Sequence, residues 1–188
     1  MIDRQDLQRL FGFATPEDIH MGNKGDGLLW VGTESGLARF DGHRFVVFSP
    51  SSYPNLRNEP ITALHGASDG ALWIGTGGLS VAGAGLNQLD RATGKFTRYA
   101  HNPLDASTIA GNNISAIVEA PDGALWIGMG GFSVEGAGLD RFDPRSGVFT
   151  HFKHDAAAPD SLSGDNVMDV VAADAGALWI STFSDGLN

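Results

Sequence analysis

The chain has no cysteine, which excludes disulfide staples and thiolate metal ligands and leaves the redox compartment open. Charged residues are also scarce. They make up 18% of the 188 residues, below the usual proportion of about 25%. The 12 Lys and Arg are scattered, against a formal net charge of −10, so a basic footprint for DNA, RNA or an anionic lipid surface is missing. Long apolar runs are missing too. The longest span five or six residues, whereas a membrane helix needs about 20. Asp3, Arg4, Asp6 and Arg9 interrupt the start of the chain where a secretory signal would need an unbroken apolar core. The expectation is a soluble chain with no nucleic-acid partner and no membrane contact.

What the chain has in excess is glycine, 26 residues of 188, roughly twice the ordinary share and suited to a turn-rich all-β protein. It also repeats itself. LLWVGT at 28–33 returns as ALWIGT at 71–76, ALWIGM at 124–129 and ALWIST at 177–182. These phrases hold every tryptophan, Trp30, Trp73, Trp126 and Trp179, spaced 43, 53 and 53 residues apart. Residues 71–123 align without a gap on 124–176 with 23 identities in 53 positions. A strand-borne Trp recurring at this period marks a β-propeller blade or a similar array.

Each unit reads as four short strands. The first is ITALHGA at 61–67, ISAIVEA at 114–120 and VMDVVAA at 167–173, with a weaker version at 19–22. Asp26-Gly27, Asp69-Gly70 and Asp122-Gly123 predict two-residue type I′ hairpins, where both central residues take positive φ; Ala175-Gly176 is the exception. The Trp phrase follows as a strand buried on both faces, its indole needing an acceptor for the N–H. The third strand is GLARFD, GLNQLD or GLDRFD at 36–41, 85–90 and 138–143, and its final Asp opens the next turn. The fourth, at 45–48, 96–100 and 149–153, alternates aromatic and polar residues like a solvated outer edge.

The expected architecture is therefore all-β, a partial β-propeller of about 3.5 four-stranded antiparallel blades. It comprises an N-terminal segment at 1–18, blades at 19–60, 61–113 and 114–166, and part of a fourth at 167–188. Propellers protect their faces by closing into a ring. The expected partners thus include the remaining blades of a longer protein or a second copy.

No chemistry stands out from this scaffold. Gly75, Gly77, Gly78 and their counterparts Gly128, Gly130 and Gly131 lack the Lys-Ser/Thr and helix of a phosphate loop. His151 and His154 alternate to opposite strand faces, which does not suit a metal pair. His20, His43, His65 and His101 have no consistent carboxylate neighbours in sequence and read as surface or turn residues. The recurring carboxylates Asp69/Asp122, Asp90/Asp143 and Asp105/Asp160 sit in turns, not as a singular facing pair. No catalytic residue, metal or cofactor is expected.

What remains is one rim. Loops joining strands two and three share it with loops joining strand four to the next strand one. The eight-residue segments GGLSVAGA (77–84) and GGFSVEGA (130–137) enlarge it. Asn112, Asn113, Asp165 and Asn166, with Ser80, Ser133 and Glu135, are the candidate ligand-binding residues, since amides and carboxylates supply the donors and acceptors that sugar hydroxyls need. The same amides can instead bond their own loop backbones.

The phrases NNISAIVEAPDGALWIGMGG, GLDRFDPRSGVFTHFKHD and DSLSGDNV resemble the two-component regulator propeller repeats, over roughly residues 19–188. The resemblance implies a seven-bladed periplasmic sensor region of a bacterial hybrid histidine kinase or diguanylate cyclase, with an oligosaccharide as ligand. The kinase, the immunoglobulin-like domain and the membrane helix of such proteins are missing from this sequence. Two other readings stay open. One is an enzyme resembling the streptogramin lyases, for which His65, facing Val118 and Val171 in the sibling units, is the best singular residue; the other is a protein-interaction ring.

Overall fold

The computed structural model describes residues 20–22, 28–34, 36–48, 60–78, 81–173 and 176–188. The expected N-terminal segment 1–18, the Asp26-Gly27 turn and Ser80 lie outside them. The protein is an open partial β-propeller of four antiparallel sheets. Blade 1 consists of β1 (His20–Gly22), β2 (Leu29–Thr33), β3 (Gly36–Phe40) and β4 (Phe45–Phe48). Blade 2 consists of β5 (Ile61–Gly66), β6 (Leu72–Thr76), β7 (Leu86–Asp90) and β8 (Lys95–Tyr99). Blade 3 has β9 (Ile114–Glu119), β10 (Leu125–Met129), β11 (Gly138–Asp143) and β12 (Val148–Phe152), and β13 (Val167–Ala172) pairs with β14 (Leu178–Thr182). No helix among the described residues is long and apolar enough to cross a membrane.

The turns explain the sharp strand ends. Gly94 and Gly147 donate their N–H to the carbonyls of Asp90 and Asp143, both at 2.8 Å, while the two Asp side chains accept N–H groups from Ala92 and Arg145. The Asp-Gly hairpins differ from expectation. Gly70 N–H bonds Ala67 O, and Ala67 N–H bonds Ala71 O, so the loop is the three residues Ser68-Asp69-Gly70. This is a type I turn closed by a glycine at positive φ (92°), which also lets the Asp69 side chain cap Ala71 N–H. The 121–123 turn, with Ala120 bonded to Gly123 and Ala124, repeats the arrangement.

Between blades, the Trp strand is the packing element. Its central residues are buried in β2, β6 and β10. Gly32, Gly75 and Gly128 sit where the next blade's first strand crosses. A Cβ at Gly75 would lie 2.6 Å from Ile114 Cγ2, and one at Gly128 would lie 2.8 Å from Val167 Cγ1. Ile61 fills the same role against Gly32. The glycine of the repeated phrase is thus a hole for a β-branched peg, not part of a turn. Hydroxyls reinforce the crossing, with Thr62 Oγ1 donating to Ile114 O and Ser115 Oγ donating to Val167 O at 2.7 Å.

Each Trp then covers the outer part of its neighbour. Trp30 and Phe48 pack with Leu89 and Phe96, and Trp73 and Tyr99 pack with Phe142 and Phe149. Trp126 meets Phe152 and the Arg141 guanidinium, whereas Trp179 is 56% exposed. The indole N–H groups of Trp30 and Trp73 are buried without a hydrogen-bond partner, contrary to the acceptor expected for them. Trp73 lies among apolar and aromatic side chains, and the Trp30 ring also carries the Arg39 guanidinium over its face.

Candidate functional site

The two kinds of loop meet on one rim. Gly85 N–H bonds Asn112 O, Gly138 N–H bonds Asp165 O, and Gly130 N–H bonds Asn113 O. The glycine-rich segments are shaped for this contact. Gly77, at φ +148°, has no room for a Cβ beside Asn113 without crowding its Oδ1 at 3.0 Å, and a Cβ at Gly130 would strike Asn166. These glycines admit a neighbouring loop, as a phosphate cradle would admit its anion.

Four of the candidate side chains are engaged in holding that contact. Asn112 Oδ1 accepts His101 N–H at 2.8 Å, and Asp165 Oδ1, at the matching position, accepts His154 N–H at 2.6 Å. Asn113 Oδ1 accepts Gly83 N–H. Asn166 brackets Gly131, accepting its N–H at 2.8 Å and donating to its carbonyl at 2.9 Å. His101 and His154 donate from Nδ1 to Ile109 O and Leu162 O. The Asn112 and Asp165 bonds recur at equivalent positions, whereas Asn113 and Asn166 hold different glycines of the neighbouring loop; all four brace loop backbone. Ser133 and Glu135 are exposed on the same rim.

Beside them lies a feature the sequence reading passed over. Phe132, in the blade 3 loop, and Phe183, in the blade 4 loop, are 57% and 47% exposed. Their rings stand edge to face with centroids 5.2 Å apart. Two large apolar rings meeting in solvent on a rim of polar loops form the kind of patch that marks contact with another molecule. Phe132 follows a Gly-Gly pair that is otherwise repeated, and that was the available signal.

The histidines find carboxylates that sequence distance hides. On adjacent strands β11 and β12, His151 Nδ1 faces Asp140 Oδ1 at 2.7 Å, and His151 Nε2 faces Ala106 O at 2.9 Å. Asp140 Oδ2 accepts Ala110 N–H at 2.9 Å, so the pair clasps loop 101–113. Burial raises the Asp140 carboxyl above its ordinary value despite its hydrogen bonds. For His151, burial alone would lower the pKa, but the bonds to Asp140 and the Ala106 carbonyl prevail and raise it. His151 is exposed on the edge strand β12, as its alternation implies, and the structure adds the Asp140 partner that the sequence did not show.

His65 likewise has a partner across blades. Its Nε2 lies 3.4 Å from Glu119 Oε2, and Ser68 donates to the same carboxylate through N–H and Oγ. Burial would raise the Glu119 pKa, but the Ser68 and His65 hydrogen bonds outweigh it and lower it. Ser68 and His65 of blade 2 both bond the acid of blade 3, so the cluster ties the two blades together. No group of three metal-ligating side chains occurs among the described residues.

On the opposite rim, where the β5–β6 hairpin and the β7–β8 turn lie, a cleft of about 1110 Å³ opens between blades 1 and 2.

The family model described as two-component regulator propeller matches residues 55–78 and 108–131. Each match covers a first strand, its hairpin and the Trp strand. Among solved structures, the extracellular domain of a hybrid two-component system from B. thetaiotaomicron is 24% identical, with a TM-score of 0.74 over 92% of this chain and 23% of that one. PorZ, a surface component of the type-IX secretion system of Porphyromonas gingivalis, is 16% identical with a TM-score of 0.67, over 99% of this chain and 26% of that one. A gluconolactonase from Xanthomonas campestris is 18% identical with a TM-score of 0.57, over 86% of this chain and 55% of that one. The chain thus spans 23% and 26% of the first two proteins, and at these identities the likeness is one of fold. No curated protein matches the chain in sequence.

Proposed function

We propose, from the match of residues 55–78 and 108–131 to the two-component regulator propeller model, that the chain is a non-catalytic sensory propeller region. Its ligand is an oligosaccharide bound on the rim of the enlarged loops, outside the cytoplasm. The observation that supports this most is the exposed Phe132–Phe183 pair. Aromatic faces offer an apolar platform to the C–H side of a sugar ring, while a few polar groups fix its hydroxyls. Ser133 and Glu135 supply such groups beside Phe132. Asn112, Asn113, Asp165 and Asn166 hold the loops in place for them, and Ser80 belongs to the matching loop of blade 2.

The sensor itself includes further blades, from a longer protein or a second copy, and these cover the exposed Trp179 face. A catalytic reading draws on the likeness to a gluconolactonase, but in the Ser68–Glu119–His65 cluster the serine hydroxyl donates to the carboxylate. Titration calorimetry of the protein against a panel of plant, host and microbial oligosaccharides tests the proposal. Saturable heat from at least one glycan, reduced about tenfold or more in affinity by Phe132→Ala or Phe183→Ala, is the expected result. Binding that both substitutions leave unchanged would move the site off this rim.

A further inference from the structure

The cleft between blades 1 and 2 lies on the rim opposite the loops discussed above, and the repeat explains why it exists. At the blade 2–3 boundary, Phe142 packs edge to face with Trp73, 5.7 Å between centroids, and stacks on Phe149 at 4.2 Å. The register places Leu89 at the position of Phe142, since Leu72 pairs with Leu89 as Leu125 pairs with Phe142. An aliphatic side chain replaces a ring just where the blades diverge. The space left beside Trp30, Phe48 and Leu89 is part of the cleft.

Two of its polar groups are donors left without a partner. The Trp30 indole N–H and the Arg39 Nε–H are buried with no hydrogen-bond partner, and both residues line the cleft. Trp30 is 2% exposed, and the Arg39 guanidinium lies 5.8 Å over its ring. Neither group can accept a hydrogen bond, and a buried donor left unmet favours an acceptor that can reach it. Trp73 also has an unmet N–H, but it does not line this cleft, and Gln88 stands where Arg39 does. Arg91 and Lys95 add two cations to the wall. The two carboxylates there are turned to local work, Asp69 bonding Ala71 N–H and Asp90 bonding Ala92 and Thr93 N–H. In a chain of net charge −10, three cations line this cleft beside two carboxylates; Arg91 Nε–H is bonded to Gly70 O, and Arg39 Nε–H and the Trp30 indole N–H are the donors without a partner.

We propose that the cleft is a binding site for a small organic carboxylate, whose oxygens take the Trp30 and Arg39 N–H groups and whose apolar body lies against Val46, Phe48 and Leu89. A carboxylate can accept from both donors, one through each oxygen, and its bond to the Arg39 guanidinium is charge-assisted and so among the stronger ones. The volume is at the upper end of small-molecule sites, roughly 300–1,000 Å³, so the ligand is larger than a simple inorganic anion. This site is separate from the sugar rim and does not depend on it.

Titration calorimetry of the full chain with phenylacetate and glucuronate, against phenylacetamide, glucose and inorganic sulfate, tests the proposal. Saturable binding of a carboxylate, at least about tenfold tighter than its neutral counterpart, is expected. Arg39→Gln copies the residue of the next blade and should weaken it by a similar factor. Leu89→Phe copies Phe142 and should abolish it by filling the cleft, with the thermal melt confirming that both variants remain folded. Absence of saturable binding by either carboxylate, equal binding of sulfate, or binding that survives both substitutions would overturn the assignment.

Discussion

Gly75 of blade 2 and Ile114 of blade 3 are packed so closely that a single added methyl at the glycine would sit 2.6 Å from the isoleucine's Cγ2. Both residues belong to paired strands, β6 and β9, beside a register shift in each ladder, so moving either one aside disturbs the pairing of its sheet. Gly75→Ala is expected to destabilise the protein by about 2–3 kcal/mol through overpacking. Ile114→Ala alone should cost a comparable amount by leaving a cavity. The double variant should be more stable than the sum of the two losses requires, because the new methyl occupies the vacated space. Denaturant unfolding of the four proteins measures this, and strict additivity would contradict the peg-and-hole contact.

The His151–Asp140 clasp makes stability depend on pH in a definite direction. The folded pKa of His151 lies above its ordinary value of 6.5, so its stabilising contribution is complete below that pH and is lost as pH rises through the raised value. The Asp140 carboxyl is raised above 3.8 by burial, so its ionisation also costs folded-state stability as pH rises, over a more acidic window. Thermal melts from about pH 5 to 9 should fall towards alkali, and His151→Gln should flatten the slope above about pH 6.5. Hydrogen exchange gives a local check, since the Ala110 amide bonded to Asp140 should lose protection in the same range. A slope unchanged by His151→Gln would place the pH sensitivity elsewhere.

Trp179 and Val171 present an apolar face, 56% and 53% exposed, at the positions where Trp30 and Trp73 are covered by a following blade. In solution this chain alone should self-associate, with a mass by light scattering above that of a 19.7 kDa monomer. Trp179→Glu should return it to a monomer with little change in melting temperature, because the side chain contributes little to its own blade's core. A monomer at all concentrations would mean that the face is tolerated bare.

Much of the fold was legible in the sequence because the repeat supplies its own alignment. Every expected strand among the described residues is present within a residue or two, and the Asp-opened turns at Asp90 and Asp143 follow from side-chain capping that is local to the chain. The hairpin type was misjudged because Asp-Gly suits two loops. The choice between them was made by the neighbouring residue, Ser68 or Pro121, entering a type I turn. The role of Gly75 could not be read from its own blade, since the residue that demands it is Ile114, 39 positions on. The site was less legible for the same reason. His65 meets Glu119 across a blade boundary and His151 meets Asp140 through strand register, neither through sequence proximity. The Leu89 cleft becomes visible only when one unit is subtracted from the next.

The glycine hole and β-branched peg also give the stack of blades a polarity. Each blade offers a hole on one side and a peg on the other, so units add head to tail and never face to face. Energy in such an array is shared only between nearest neighbours. A substitution at one boundary should leave the next unaffected, and whole units can be gained or lost without redesigning either face. Ser181 stands in β14 where the other Trp strands have their glycine. The side chain there narrows the socket, so whatever strand crosses it must bring a smaller peg than Ile61, Ile114 or Val167, and the fourth blade selects its neighbour more narrowly than the first three do.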